Sequence, residues 1–159
     1  MQVIIDGNNL LFAAHAADPE RPVSRLTLCQ ILGRWGALRK SAVVVVFDGD
    51  EPSGGLATQM ASTPVQVQFS GREAKADDVI AELIHMHSAP RRLWVVSSDK
   101  EVARAARRRA AEALRSDQYW DRVQHDLSKP KSTPNEPAGK REGLSPAETD
   151  AWLRDLGLG

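Results

Sequence analysis

The sequence has a single cysteine, a single tyrosine and no net charge, 21 Lys+Arg being balanced by 21 Asp+Glu. Each shortage excludes something. One cysteine, Cys29, rules out an intramolecular disulfide and any thiolate-based zinc cluster. Flanked by Leu28, Ile31 and Leu32 at helical spacing, it reads as a small core residue and not as a nucleophile. The four histidines offer no substitute. His85 and His87 stand two apart, which on a helix turns them in different directions, and His15 and His125 have no second histidine at ligand spacing. A zero charge balance supplies no general field for nucleic acid, so such binding has to come from a local basic face. The densest apolar run, Ala42 to Phe47, is far shorter than the ~20 residues of a spanning helix. No charged leader precedes a long apolar stretch, so a cytoplasmic protein without membrane contact is expected. What remains, 42% hydrophobic and 26% charged residues over 159 positions, suits one globular domain with an appendage.

Strand patterns lie at Val3 to Ile5, Ala42 to Phe47, Val65 to Phe69 and Leu93 to Ser97, with a weaker one at Ala113 to Arg115. AVVVVF and LWVV are apolar on both faces, as in central strands covered on each side. VQVQF alternates and suits a strand nearer an edge. Helical patterns fall between them: one after Ser24, with Leu26, Cys29, Leu32 and Trp35 on its apolar face, and one through Val79, Ile80, Leu83, Ile84 and Met86. Two more are Lys100 to Ala111 and Asp117 to Leu127, the latter with Ser116 as N-cap. Alternating strands and helices predict a parallel sheet in an α/β domain over residues 1–127. Residues 128–143, rich in Pro, Gly, Ser and Lys, read as a flexible linker. Residues 144–159 read as a short amphipathic helix, with Ser145 and Glu148 as a capping box and Leu144, Trp152, Leu153 and Leu156 as an apolar stripe. About eleven helical residues are marginal alone, so this helix is expected to dock, either on its own domain or on a protein partner.

In open α/β sheets ligands bind beyond the carboxyl ends of the strands, near the reversal of strand order. The strands here run toward acids: Asp6 in IIDG, Asp48 in VFDG, Asp77 and Asp78 after QFSGREAKA, and Asp99 in VSSD. Any one of them can be a helix cap or a cation ligand, and Gly7 is expected to let the backbone turn tightly after Asp6. Side by side, strands ~4.8 Å apart would gather these carboxylates in one cleft. Their mutual repulsion is relieved by hard divalent cations such as Mg²⁺ or Mn²⁺, the type of site that supports phosphodiester hydrolysis. Arg104, Arg107 and Arg108 share a helix face, and Arg72 and Lys75 precede Asp77. They are either phosphate-binding groups or a solvated charged face paired with acids such as Glu101 and Glu112.

DGNN, VVFDG, VQFSGREAKADDVIAELI, VVSSDKEVARAARRR and LRSDQYWDRV, in this order over residues 1 to about 127, resemble the YacP-like NYN-domain proteins, relatives of PIN-domain ribonucleases. The resemblance implies a three-layer PIN-like (Rossmann-like) fold, with a central, mainly parallel sheet of four to five strands flanked by helices. It implies a metal-dependent endoribonuclease using Mg²⁺ or Mn²⁺, with RNA as partner; one relative cuts messenger RNA on the ribosome. Residue by residue, Asp6, Asp77 and Asp99 match the family's metal-binding acids and Asn9 the asparagine of its D-G-Y-N motif. Asp48 matches the FD of the second strand, and Ser97 and Ser98 the polar pair before the last acid. Asp78 stands where relatives carry Ser or Asp. Asn8 replaces the usual Tyr, and Ala110 a common Gly before the last strand. The competing reading is a non-catalytic RNA- or ribosome-binding module of the same fold. A haloacid-dehalogenase-type phosphatase is disfavoured because Asn8 occupies the position of its second Asp, and a DNA flap nuclease because no insertion is long enough for a helical arch.

Overall fold

A computed structural model describes residues 1–52 and 65–129 of the chain. The chain divides after Leu127 into two units, and all but the first two residues of the second, including the expected linker and terminal helix, lie outside the described residues. Five strands, β1 (Gln2–Asp6), β2 (Ala42–Phe47), β3 (Val65–Phe69), β4 (Leu93–Val96) and β5 (Glu112–Leu114), form one sheet in the order β3-β2-β1-β4-β5. Every pairing is parallel. The doubly apolar β2 and β4 lie inside the sheet, where both faces are covered, and the alternating VQVQF is an edge strand. β1 is flanked by β2 on one side and β4 on the other, so strand order reverses between β1 and β4.

Alternation along the strands builds a core on each face. Val3, Ile5, Val43, Val45 and Phe47 point to one side and pack with Leu10, Leu28, Leu32, Trp35 and Tyr119. That side carries α1 (Gly7–Ala17), α2 (Arg25–Arg39) and α5 (Ser116–Ser128). Ile4, Val44, Val46, Leu93 and Val95 point to the other and pack with Ile80, Ile84, Val102 and Ala106 from α3 (Ala76–Met86) and α4 (Lys100–Arg108). The result is three layers. Each fully buried Val, Leu or Ile contributes roughly 1.5–3 kcal/mol, so the two faces of the sheet hold the strand ends in register. The Trp35 indole packs edge-on against Tyr119 at 5.3 Å between centroids and donates through Nε1 to Asp126 Oδ2 at 3.0 Å. This ties α2 to α5 through a buried polar pair.

Ser24 caps α2 as expected, its hydroxyl accepting from the Thr27 N–H at 3.1 Å, and Cys29 lies fully buried. Several local expectations are corrected. The helix over Lys100 to Ala111 ends at Arg108, since Ala110 has φ +64°. Ser116 opens α5 instead of preceding it. Met86 is 74% exposed and leaves the apolar face of α3. Helix α1 is absent from the sequence reading: GNNLLFAAHAA starts with poor helix formers and buries only Gly7, Leu10 and Ala14, too thin a stripe to announce a helix.

Candidate active site

Asp6 ends β1 at the point where strand order reverses, 6% exposed. It occupies the N-cap position of α1, yet its side chain makes no capping hydrogen bond. Instead Oδ2 accepts from the Ser97 hydroxyl at 3.1 Å. Ser97 follows β4 and accepts in turn from the Asp99 N–H at 3.1 Å, so one serine joins the ends of the two strands. Gly7 is needed here for space, and its expected role in a tight turn is corrected: it starts α1 and has no positive φ. A Cβ at this position would come within 2.5 Å of the Phe47 ring and 2.9 Å of Val45, both fully buried. Only a glycine lets the first turn of α1 press against β2.

For Asp99 the structure shows the capping role. Oδ1 accepts from the N–H groups of Glu101 and Val102 at 2.7 and 3.3 Å, the bonds of an N-cap on α4. Asp77 caps nothing: it lies in the first turn of α3, half-buried. That turn is capped from elsewhere. Asp78 Oδ2 accepts from the Lys75 N–H at 3.1 Å, and Asp48, from the end of β2, accepts the Ala76 N–H on Oδ1 at 2.6 Å. Asp48 thus anchors the helix start that carries Asp77.

Asn9 Oδ1 accepts from the Ser98 N–H at 2.9 Å and from the Ser116 hydroxyl at 2.5 Å. Ser98 Oγ accepts from the Ser116 N–H at 3.3 Å. Asn9 therefore holds the β4–α4 loop against the start of α5. Asn8 Oδ1 accepts from the Asp48 N–H at 3.3 Å, so this substitute for the usual Tyr also braces an acid. Ser116 was not singled out from the sequence as a site residue; as a serine at a helix start it carried only a capping signal.

The carboxylates share one electrostatic neighbourhood. Burial, opposed by the Ser97 hydroxyl and reinforced by Asp77 and Asp48, pushes the Asp6 carboxyl up to about 6. Burial also raises Asp77, as do the neighbouring Asp99, Asp48 and Asp78. No lysine or arginine is among the groups that shift either acid. Beside Asp99, on the β5 side, opens a cleft of about 510 Å³ lined by Ser97, Ser98, Asp99, Arg104, Arg107 and Arg115 among others. Of the arginines expected to bind RNA, Arg104 and Arg107 line it and Arg108 does not. Arg104 also pairs with Glu101 at 2.6 Å, as the alternative reading had it, and Arg72 pairs with Asp50 at 2.6 Å. Lys75 is exposed at the N-cap of α3.

The family model described as YacP-like NYN domain matches residues 3–153, nearly the whole chain. The chain belongs to the YacP-like NYN domain family. NYN domains are in general ribonuclease-like, which gives this chain an RNA-related function. Two crystal structures of Rae1 (YacP) from Bacillus subtilis are similar to it. One has a TM-score of 0.64 at 20% identity, covering 99% of this chain and 88% of that one. The other, of a point mutant, has a TM-score of 0.61 at 20% identity, covering 96% and 90%. They share the PIN-like fold. No curated protein matches the chain. The family match continues beyond Leu127 to 153, into the segment read from composition as linker and helix.

NYN and PIN-like nuclease domains generally use divalent metals. In this NYN domain the donors suit one in kind, being hard carboxylate oxygens whose charge no basic group offsets. In position they stand apart: among the described residues no three His, Cys, Asp or Glu side chains converge as a metal's ligand set. Asp77 and Asp99 are the pair in contact. Among the described residues, no helix is long and apolar enough to cross a membrane.

Proposed function

We propose that this NYN-domain protein is a metal-dependent endoribonuclease that hydrolyses RNA phosphodiester bonds at the acidic strand ends. The observation that carries this reading is the electrostatic coupling of the acids at the strand ends, where the Asp6 and Asp77 carboxyls are raised by burial and by one another, with Asp48 and Asp99 contributing, and no basic group offsets these two. Such an arrangement is unfavourable without a cation. Asp77 and Asp99, together with Asp6, would hold Mg²⁺ or Mn²⁺. When bound, the ion offsets charge on the scissile phosphate and makes a water a better nucleophile.

The chain's other residues then have positioning roles. Ser97 orients Asp6, and Asn9 and Ser98 hold the loop that carries Asp99. Asp48 and Asp78 fix the first turn of α3 and with it Asp77. Arg104 and Arg107 offer donors to substrate phosphates. Hydrolysis in this reading leaves a 5′-phosphate end. One relative in the family cuts messenger RNA on the ribosome, and ribosome-associated messenger RNA is the substrate proposed here.

Asp6→Asn or Asp99→Asn is expected to abolish cleavage of a labelled RNA by the folded protein, and EDTA to do the same to the unaltered chain. Full activity in either purified variant, or in EDTA, overturns the reading. A second reading, a non-catalytic RNA-binding module, is favoured by the lack of three converging ligands. It requires undiminished affinity in EDTA and no cleaved product in Mn²⁺.

A further inference from the structure

The neighbourhood of the acids is asymmetric in charge. The segments that follow β2 and β3 carry Asp48, Asp50, Glu73 and Asp78 against Arg72 and Lys75, with Arg72 engaged by Asp50 at 2.6 Å. Toward β5 the cleft beside Asp99 is lined by four cationic side chains, Lys100, Arg104, Arg107 and Arg115, and by one carboxylate, that of Asp99, whose Oδ1 is already taken by two N–H groups of α4. The small side chain of Ala103 leaves the space between them open. Two of the arginines are held only loosely. The Arg104–Glu101 and Arg115–Asp117 pairs have both partners more than half exposed, and exposed pairs of this kind are weak, so a phosphate can displace the carboxylate. Arg107 makes no ion pair among the described residues. At about 510 Å³ the cleft has the volume of a site for a nucleotide-sized group.

We infer that this cleft is a subsite for the backbone of the nucleotide next to the scissile phosphate, with Arg107 and Arg115 as its principal phosphate donors, so that RNA runs from the acids toward the β5 edge. The inference rests on the endoribonuclease reading for the identity of the strand, and it adds Arg115, the direction of the path and a mode of recognition. Contacts from guanidinium forks to phosphate oxygens carry no sequence information, so a subsite that works through them tolerates any sequence and requires substrate to extend past the cleavage point on this side.

The test is binding of a fluorescein-labelled single-stranded RNA of about ten nucleotides to the full chain in EDTA, followed by anisotropy across a salt series. Arg107→Ala/Arg115→Ala is expected to weaken binding at least tenfold and to lower the slope of log K against log salt by about 1.4, the value for two lost contacts to a single strand. Arg107→Glu is expected to weaken it further. Arg91→Ala/Arg92→Ala, at the opposite end of β4, is the charge-matched control and should bind as the unaltered chain does. Unchanged affinity and slope in the Arg107→Ala/Arg115→Ala variant with native circular dichroism, an equal loss in Arg91→Ala/Arg92→Ala, or no RNA binding by the unaltered chain overturns the inference. Because EDTA removes cleavage from the readout, binding through the cleft by a chain that never cuts RNA sinks only the enzymatic reading. Cutting with no dependence on these arginines sinks only the subsite.

Discussion

At Asp6 a carboxylate is 6% exposed with a serine hydroxyl as its hydrogen-bond donor, and its pKa of about 6 follows mainly from burial. The sign of the consequence is set by the direction of this shift. Below pH ~3 the group is protonated in both the folded and the unfolded chain and does not affect stability. Between the ordinary value of 3.8 and about 6 the unfolded chain releases its proton while the folded one keeps it, so stability falls as pH rises. Above that window the full penalty, about 3 kcal/mol, is present. Asp6→Asn, which keeps an acceptor for Ser97, should therefore be more stable than the parent at pH 7 by up to that amount in metal-free solution, and equal to it at pH ~3. Urea unfolding followed by tryptophan fluorescence at the two pH values measures this, and the absence of a gain at pH 7 would show that Asp6 is solvated. The same substitution is expected to destroy activity, as is common where a site stores unfavourable charge.

The helix ends show how elements present these residues. α4 closes with a Schellman motif: the Ala111 N–H reaches the Ala106 carbonyl at 2.9 Å and the Ala110 N–H the Arg107 carbonyl at 3.0 Å. The motif places Ala110 at φ +64°, where an L-residue with a Cβ is strained by about 1–2 kcal/mol and glycine is not. Ala110→Gly is expected to stabilise the protein by about 1 kcal/mol and to raise Tm by roughly 2–4 °C; an unchanged or lower Tm in a differential scan would contradict the strained turn. Because Ala110 is distant in function from the acids, RNA cleavage should stay at the parent rate. α3 is organised the other way, from its start. Its first turn hangs on Asp48 and Asp78, so the element's position and that of Asp77 depend on a carboxylate from a different strand.

For the whole molecule, the sheet order sets what the individual residues can do together. β1 and β4 are neighbours although about ninety positions separate them in sequence, and this pairing brings Asp6 to Ser97, whose hydroxyl also accepts from the Asp99 N–H. A cation bound among these acids stabilises the folded state alone, by RT ln(1 + [L]/Kd), or about 2.7 kcal/mol at a hundredfold excess over Kd. Mn²⁺ at pH 7 is therefore expected to raise Tm by several degrees, and Asp99→Asn to lose most of that rise. A melting temperature indifferent to Mn²⁺ in the parent protein would remove the metal from the proposal.

Much of the fold was legible in the residues because its signals are local. The doubly apolar AVVVVF and LWVV, the alternating VQVQF and the periodic stripe of α2 each depend on neighbours a few positions apart, and together they specified a parallel α/β sheet. The acids at the strand ends were legible for the same reason. α1 was not, since its helix is held by packing of Leu10 and Ala14 against the sheet and not by propensity. Nor could the sequence say which acids cap and which do not: Asp99 caps its own helix, Asp48 caps another's, and Asp6, at a cap position, accepts instead from Ser97 beyond the neighbouring strand. Those assignments, the role of Gly7 as room for Phe47, and the meeting of Arg107 with Arg115 at one cleft depend on distances between segments remote in sequence. By itself the sequence determined the periodicities, and hence the strands, the α/β class and the acids that end them. Only the tertiary structure decided which of those acids face one another, because strand order and helix packing are global choices that bring together groups with no local signal of their meeting.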